Sequence, residues 1–288
     1  MEEIPILRLA SSLLISSSIA IGGFYKKSLN LSGACLGFLV MFVHFFVGYR
    51  FGAVLVVFFV TSSALTKYGE EKKRSIDEEF KEGGQRNWIQ VLANSGIATM
   101  LLVILGVLTG MKDQCLDSKQ SSYITCLVGG IVGHYACCAG DTWSSEIGML
   151  SKSQPWLITT FKRVRRGTNG AVTTNGILAA AAAGCTIGLT FVLFGLISTS
   201  CSFDITLKQL LVVPLATTAG VTGSLIDSLL GATLQFSGIC AIRNKVVGKP
   251  GPSVKKISGL KVLDNNAVNL VSICLTTVLT SAACYYIF

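Results

Sequence analysis

Two carboxylates lie in the run Gly140-Asp141-Thr142-Trp143-Ser144-Ser145-Glu146-Ile147-Gly148, directly after a stretch apolar enough to lie in a bilayer. An Asp at the centre of a membrane helix costs about 2.5–3.5 kcal/mol on insertion scales, so acids kept there ordinarily have a use. A cationic loop follows, Lys162-Arg163-Val164-Arg165-Arg166-Gly167-Thr168-Asn169-Gly170. Carboxylates suit Mg²⁺, a hard cation that takes oxygen ligands and bridges phosphate oxygens. Arg163, Arg165 and Arg166 carry planar forks that match phosphate. A turn through Gly167, Thr168, Asn169 and Gly170 can offer N–H groups to an anion at the start of the next helix. Together these parts suit phosphoryl transfer, in which positioning and charge neutralisation supply most of the catalysis.

More polar residues sit at the ends of apolar runs. Asn87, Gln90 and Asn94 open one, Asp227 closes another, and Asp264, Asn265, Asn266 and Asn269 open the last. Each has a plainer reading. The acids can pair with interfacial cations, Asp227 can cap a helix, the arginines can serve topology or lipid headgroups, and the asparagines can bridge helices at about 0.6 kcal/mol per bond. His134, seven residues before Asp141, shares its helical face as a proton relay or a packed ring. Cys137-Cys138 reads as packing more simply than as a redox pair. No GxxxxGK[ST] occurs, and two histidines leave little room for a Ser-His-Asp arrangement.

The elements that position these residues are membrane helices. Of 288 residues, 51% are hydrophobic and 14% charged, and the mean hydropathy is +0.62, whereas soluble domains carry about 25% charge. The fold class is all-α, a polytopic membrane helix bundle, with residues 1–288 forming one integral membrane domain. Apolar runs place spans near 5–23, 32–48, 51–66, 89–110, 123–140, 172–198, 207–231 and 267–287, eight in all within a range of seven to nine. Only Tyr49-Arg50-Phe51 separates the second from the third. The loops 24–31, 67–88, 149–171 and 232–266 hold 19 of the 24 Lys/Arg residues. That bias turns these loops to the cytosol, and it accounts for the net charge of +9 without nucleic acid. In this topology Asn87, Gln90, Asn94, Asp141, Glu146, Asp227, Asp264, Asn265, Asn266 and Asn269 all fall at the cytosolic ends of their helices, which makes one pocket there.

Small-residue spacings at Gly33/Gly37, Gly106/Gly110, Gly129/Gly133 and Gly184/Gly188 permit close helix packing. The segment from Glu70 to Arg86 mixes six acids with five bases and reads as a solvated or interfacial helix. Cys115 and Cys201 fall in loops on the face opposite the basic ones, where a disulfide between them is a candidate. The N-terminus Met1-Glu2-Glu3-Ile4-Pro5 has none of the Arg/Ser-rich character of a transit peptide, which disfavours a plastid.

Five segments carry a resemblance: Arg86-Asn87 with Gln90-Val91 and Asn94, the Asp141 block, Gly167-Thr168-Asn169-Gly170, Asp227-Ser228-Leu229-Leu230-Gly231-Ala232, and Asp264-Asn265-Asn266-Ala267-Val268-Asn269. They span a core at about 67–270, and there the sequence resembles the transmembrane protein 19 family, which shares a domain with plant phytyl-phosphate kinases. The resemblance implies transfer of phosphate from CTP or ATP, with Mg²⁺, to an isoprenyl monophosphate. Asp141, Glu146 and Asp227 would be the catalytic and metal-holding residues. Arg163, Arg165, Arg166, Gly167, Thr168, Asn169, Gly170, Asn94, Asp264, Asn265 and Asn269 would bind phosphates. Where the family loop often reads Pro-Gly-Thr-Ser-Gly-Gly, this chain has Arg166-Gly167-Thr168-Asn169-Gly170-Ala171. The plant branch resembles a plasma-membrane glucose-responsive regulator. A non-catalytic role in sugar-linked growth at the plasma membrane is therefore the alternative, with a transporter third.

Overall fold

The computed structural model describes residues 6–76, 84–199 and 201–288. Eight long helices form the bundle: α1 (Ile6–Tyr25), α2 (Leu31–Val47), α3 (Tyr49–Lys67), α5 (Trp88–Thr109), α6 (Ser118–Leu150), α7 (Thr174–Ser198), α9 (Val212–Leu234) and α10 (Asn265–Ile287). Two short helices, α4 (Glu70–Ile76) and α8 (Phe203–Gln209), lie between them. The long helices correspond one for one to the expected spans. Seven helices are long and apolar enough to cross a membrane, while α2 has only 17 residues. Gly48 alone joins α2 to α3, in extended conformation, and its N–H closes the last turn of α2 on His44 O. The two helices are thus separated by less than the sequence suggested.

The helix α6 is the axis of the molecule. Its residues Val128 to Gly140 are buried on every side, and α3, α5, α7, α9 and α10 surround it. At 33 residues and 1.5 Å per residue it measures about 50 Å, well beyond a ~30 Å hydrocarbon core. The helix therefore runs on past the expected span end at 140; the Asp141 block forms its last three turns, and only Ser121 near the other end departs from helical geometry. Outer faces carry exposed residues such as Leu14, Val107 and Ile197, as a lipid-facing surface requires.

Glycines set the spacing around α6. A Cβ on Gly133 would lie 2.4 Å from Thr280 of α10, and one on Gly140 2.5 Å from Gly220 O of α9. On α7, Gly184 sits against Ala216 O and Gly188 against Val213 of α9. Gly129/Gly133 and Gly184/Gly188 are thus helix contacts. The other two expected pairs are helix contacts at most in part: Gly106 of α5 meets Val47 of α2, whereas Gly33 meets Arg86 O in a loop and Gly110 is the left-handed C-cap of α5.

The loops hold structure that the sequence did not announce. Strands β1 (Trp156–Leu157) and β2 (Ala171–Val172) pair antiparallel. Strands β3 (Ser237–Cys240), β4 (Lys245–Val247) and β5 (Val254–Ser258) form an antiparallel sheet in the order β4-β3-β5, inside the supposed loop 232–266. At the opposite end, Cys115 and Cys201 are disulfide-bonded, with Cα atoms 6.0 Å apart. Nearby, Arg50 pairs with Asp113 at 2.5 Å, and Gln209 clasps the backbone N–H and C=O of Leu116 at 3.1 and 3.0 Å.

The glycine contacts make a direct prediction. Gly184→Val puts side-chain atoms where the backbone of α9 lies 2.3 Å away, so thermal unfolding in detergent should show a loss of about 1–3 kcal/mol. Gly22→Ala, where nothing stands within 4 Å, should leave the midpoint unchanged.

Candidate functional site

The basic loops and the helix ends beneath them enclose a cavity of about 620 Å³. Its wall includes Asn94 of α5, Asp141 and Glu146 of α6, Arg166, Gly167, Thr168, Asn169 and Gly170 of the following loop, Asp227 of α9, and Asp264, Asn265 and Asn269 at the start of α10. Segments up to about 180 residues apart in the chain thus meet around one space. Of the candidate residues, Arg163 and Arg165 stay outside it.

Close packing brings the two central acids together. The backbone of α6 rests on α9 where Gly140 meets Gly220 and Gly223 meets Cys137. Asp141 and Asp227 extend from this contact toward the cavity and interact electrostatically. Asp227 Oδ2 accepts from Ser272 Oγ at 2.9 Å. Asn269, in the amide orientation its neighbours satisfy, adds a donor to the same oxygen at 3.3 Å. Among the described residues no side chain donates a hydrogen bond to the Asp141 carboxylate.

Glu146 carries an ion pair in the cavity wall. Lys73 of α4 reaches it at 2.5 Å, and the same ammonium donates to Leu65 O at 2.6 Å and Thr66 O at 3.1 Å. Lys73 is fully buried. The described helix of segment 70–86, α4, is exposed at most of its positions, as a solvated amphipathic helix is, and plugs one cation into the wall of the cavity. The remainder of that segment, 77–83, lies outside the described residues.

Arg86 is a second cation that the sequence reading did not single out as a ligand. Its guanidinium donates to Ser63 Oγ at 2.9 Å while its backbone pairs with Ser28 and Asn30 of the α1–α2 loop. Burial lowers its pKa and nearby Glu146 opposes that shift, yet an arginine stays charged throughout. The signal for both Lys73 and Arg86 was available only as charge in a mixed segment, since their partners are distant in sequence.

The cationic loop is mostly self-engaged. Arg165 donates to the side chain and backbone of Asn244 at 2.6 and 2.7 Å, fastening the turn between β3 and β4. Arg163 stacks over Trp156, 4.6 Å from the ring centre, and donates to Gln154 O. Arg166 lines the cavity but donates to Lys152 O at 2.8 Å. Gly167 and Gly170 have positive φ, as a turn of this kind requires. The N–H groups of Thr168, Asn169 and Ala171, however, bond Arg165 O, Ser237 Oγ and Thr168 O. Thr168 Oγ1 donates to Arg165 O and Asn169 Nδ2 to Phe236 O. The loop also leads into β2 before α7 starts, so the expected cradle at a helix N-terminus is not formed; Thr173 caps that helix instead.

Caps account for other polar residues. Asn87 and Gln90 form a reciprocal capping box on α5, and Asp264 Oδ1 caps α10 through Ala267 N at 2.9 Å. His134 is buried against Asn94 O at 2.9 Å, a packed ring behind the cavity wall.

Whether this wall suits Mg²⁺ follows from its donors. Among the described residues no three His, Cys, Asp or Glu side chains cluster closely enough to hold a metal unaided. Four acids against Arg86, Arg166 and the Lys73 paired with Glu146 leave the wall acidic by one charge, and an acidic cavity repels phosphates unless a cation joins them. Mg²⁺ is ordinarily held by one or two carboxylates plus phosphate oxygens and water. Asp141 and Asp227 meet that description, whereas Glu146 is committed to Lys73.

The integral membrane protein DUF92 family matches residues 14–277. The chain belongs to that family. Among DUF92 relatives and their likes, it is 66% identical over its full length to Protein PGR of Arabidopsis thaliana, covering all of that protein too. It is 31% identical over 241 residues to an uncharacterized membrane protein of Methanocaldococcus jannaschii, covering 81% of this chain and 86% of the other. It is also 27% identical over 228 residues to Protein VTE6, chloroplastic, of Arabidopsis thaliana, covering 78% of this chain and 56% of that one. No solved structure matches it. This DUF92 chain is accordingly a multi-pass integral membrane protein in contact with membrane lipid.

Charge pairing in the wall is testable by a double-mutant cycle. Lys73→Met strands Glu146 and should cost about 3–5 kcal/mol in detergent-solubilised unfolding. Adding Glu146→Gln should recover more than half of that loss, and strictly additive effects would refute the pairing.

Proposed function

We propose that the chain is a phosphotransferase that moves the γ-phosphoryl group of CTP or ATP onto an isoprenyl monophosphate. One observation carries this reading: the acidic, amide-rich cavity that lies where helices of an apolar bundle end, so that a phosphate head and a lipid tail both find a matching solvent. The resemblance to phytyl-phosphate kinases and the likeness to Protein VTE6 support it.

In the reaction an oxygen of the acceptor phosphate attacks the γ-phosphorus, the bond to the β-phosphate oxygen breaks, and the nucleoside diphosphate leaves. Asp141 and Asp227 would hold Mg²⁺, which when bound neutralises the phosphate oxygens. Ser272 and Asn269 position Asp227. Arg86 and Arg166 face the phosphates, Asn94 and Asn265 offer amides, and Lys73 keeps Glu146 from competing for them. Thr168 and Asn169 shape the loop from within.

The basic face is assigned to the cytosol, where nucleotides are. Support comes from the positive-inside bias and from the Cys115–Cys201 disulfide on the other face, because disulfides persist in oxidising compartments. The plasma membrane is the favoured location. A second reading, a non-catalytic regulator of sugar-responsive growth, draws on the full-length likeness to Protein PGR together with the family resemblance.

Purified protein in detergent with geranylgeranyl or phytyl phosphate, Mg²⁺ and CTP or ATP should yield the diphosphate. Asp141→Asn and Asp227→Asn should each lower kcat at least about 100-fold at unchanged fold, as loss of a group acting on transition-state charge does. Absence of product with every pair of substrates would leave the regulator.

A further inference from the structure

The polar cavity has a neighbour on its α5 side. Phe58, Arg86, Gln90 and Asn94 also line a second cavity of about 60 Å³. Beyond those four residues its wall turns apolar, with Ala20 of α1, Met41 of α2, Leu55 and Phe59 of α3, and Val91 of α5. The change from polar to apolar takes place within one turn of α5, between Asn94 and Val91. Arg86 stands at the junction, its backbone tied to the α1–α2 loop and its guanidinium held by Ser63 of α3.

We propose that this junction is the exit for the lipid chain: the first isoprene unit of an isoprenyl phosphate sits between α1, α2, α3 and α5, with its phosphate at Arg86. This inference rests on the prenyl-phosphate reading above and deepens it. Gly37 provides the room, since a Cβ there would meet only Leu29 at 3.6 Å. Any further length of chain runs out along α1, whose Leu13, Leu14 and Ile21 are exposed.

The test is photolabelling of the wild-type protein in detergent. The probe is geranylgeranyl phosphate bearing a diazirine on its first isoprene unit, and crosslinked peptides are mapped by mass spectrometry. Labels are expected on α1, α2, α3 or the first turns of α5, competed by unmodified geranylgeranyl phosphate. Labels confined to α7, α9 or α10 would overturn the exit while leaving the kinase reading intact. Labels in the expected place without any diphosphate product would keep the chain site and sink phosphoryl transfer. Gly37→Leu gives a second measurement: at least a tenfold rise in KM for the isoprenyl phosphate with kcat within about twofold. Gly22→Leu, which faces open space, should change neither, and equal effects of the two would also overturn the exit.

Discussion

A carboxylate carried into an apolar bundle must be met by a cation, a donor or a ligand, and the architecture of this protein is organised around that requirement. Glu146 is met by Lys73, Asp113 by Arg50, Asp227 by Ser272 and Asn269, and Asp264 by the first turn of α10. Asp141 faces the cavity with two acids, Asp227 and Glu146, as its charged neighbours among the described residues. Like charges so placed favour a bound cation, which is why the proposed phosphotransferase reading puts Mg²⁺ on Asp141 and Asp227 rather than on all four acids. Lys73 matters as much as the acids do. A buried ion pair gives little net stability but is costly to break, so it holds α4 against α6 and keeps the cavity wall in one arrangement.

Helix spacing makes this electrostatic arrangement possible. The backbone of α6 touches that of α9 through Gly140 and Gly220, and Gly133 lets α10 approach from another side. Side chains of ordinary size at these contacts would separate the helices by several ångströms and carry Asp141 away from Asp227. In a bilayer, packing of this kind is a main driving force for helix association, because lipid tails are as apolar as the helices themselves. The residues that bring the acids together and those that hold the bundle together are therefore the same.

Much of this was legible in the sequence. Apolar runs and the distribution of lysine and arginine identify every long helix, and the convergence of Asp141, Asp227, Asp264 and Asn94 at one end follows from which end of its helix each occupies. The Cys115–Cys201 bond was legible for the same topological reason. Three features were not. The continuation of α6 through Thr142-Trp143-Ser144-Ser145 runs against local propensity and is carried by packing, which overrides propensity routinely. Lys73 sits in a segment whose mixed charge reads as solvated, and its partner lies more than 70 residues away. Arg163 and Arg165 look like phosphate ligands by type, yet Trp156 and Asn244 take them up, because a loop that must hold a fixed shape uses its strongest donors on itself.

The two ends of the bundle are built on opposite plans. At one end the Cys115–Cys201 bond closes an 86-residue separation around α6 and α7, a constraint that the chain-entropy account puts at about 4–5 kcal/mol. Arg50, Asp113 and Gln209 add buried polar contacts there. At the other end the helices stop around open space, and small sheets and loops lie over it. A cavity of this size forfeits packing that neighbouring helices would otherwise supply. The covalent tie and these polar contacts therefore sit at the end away from the cavity, and the open end is held by close helix packing and by the Lys73–Glu146 pair.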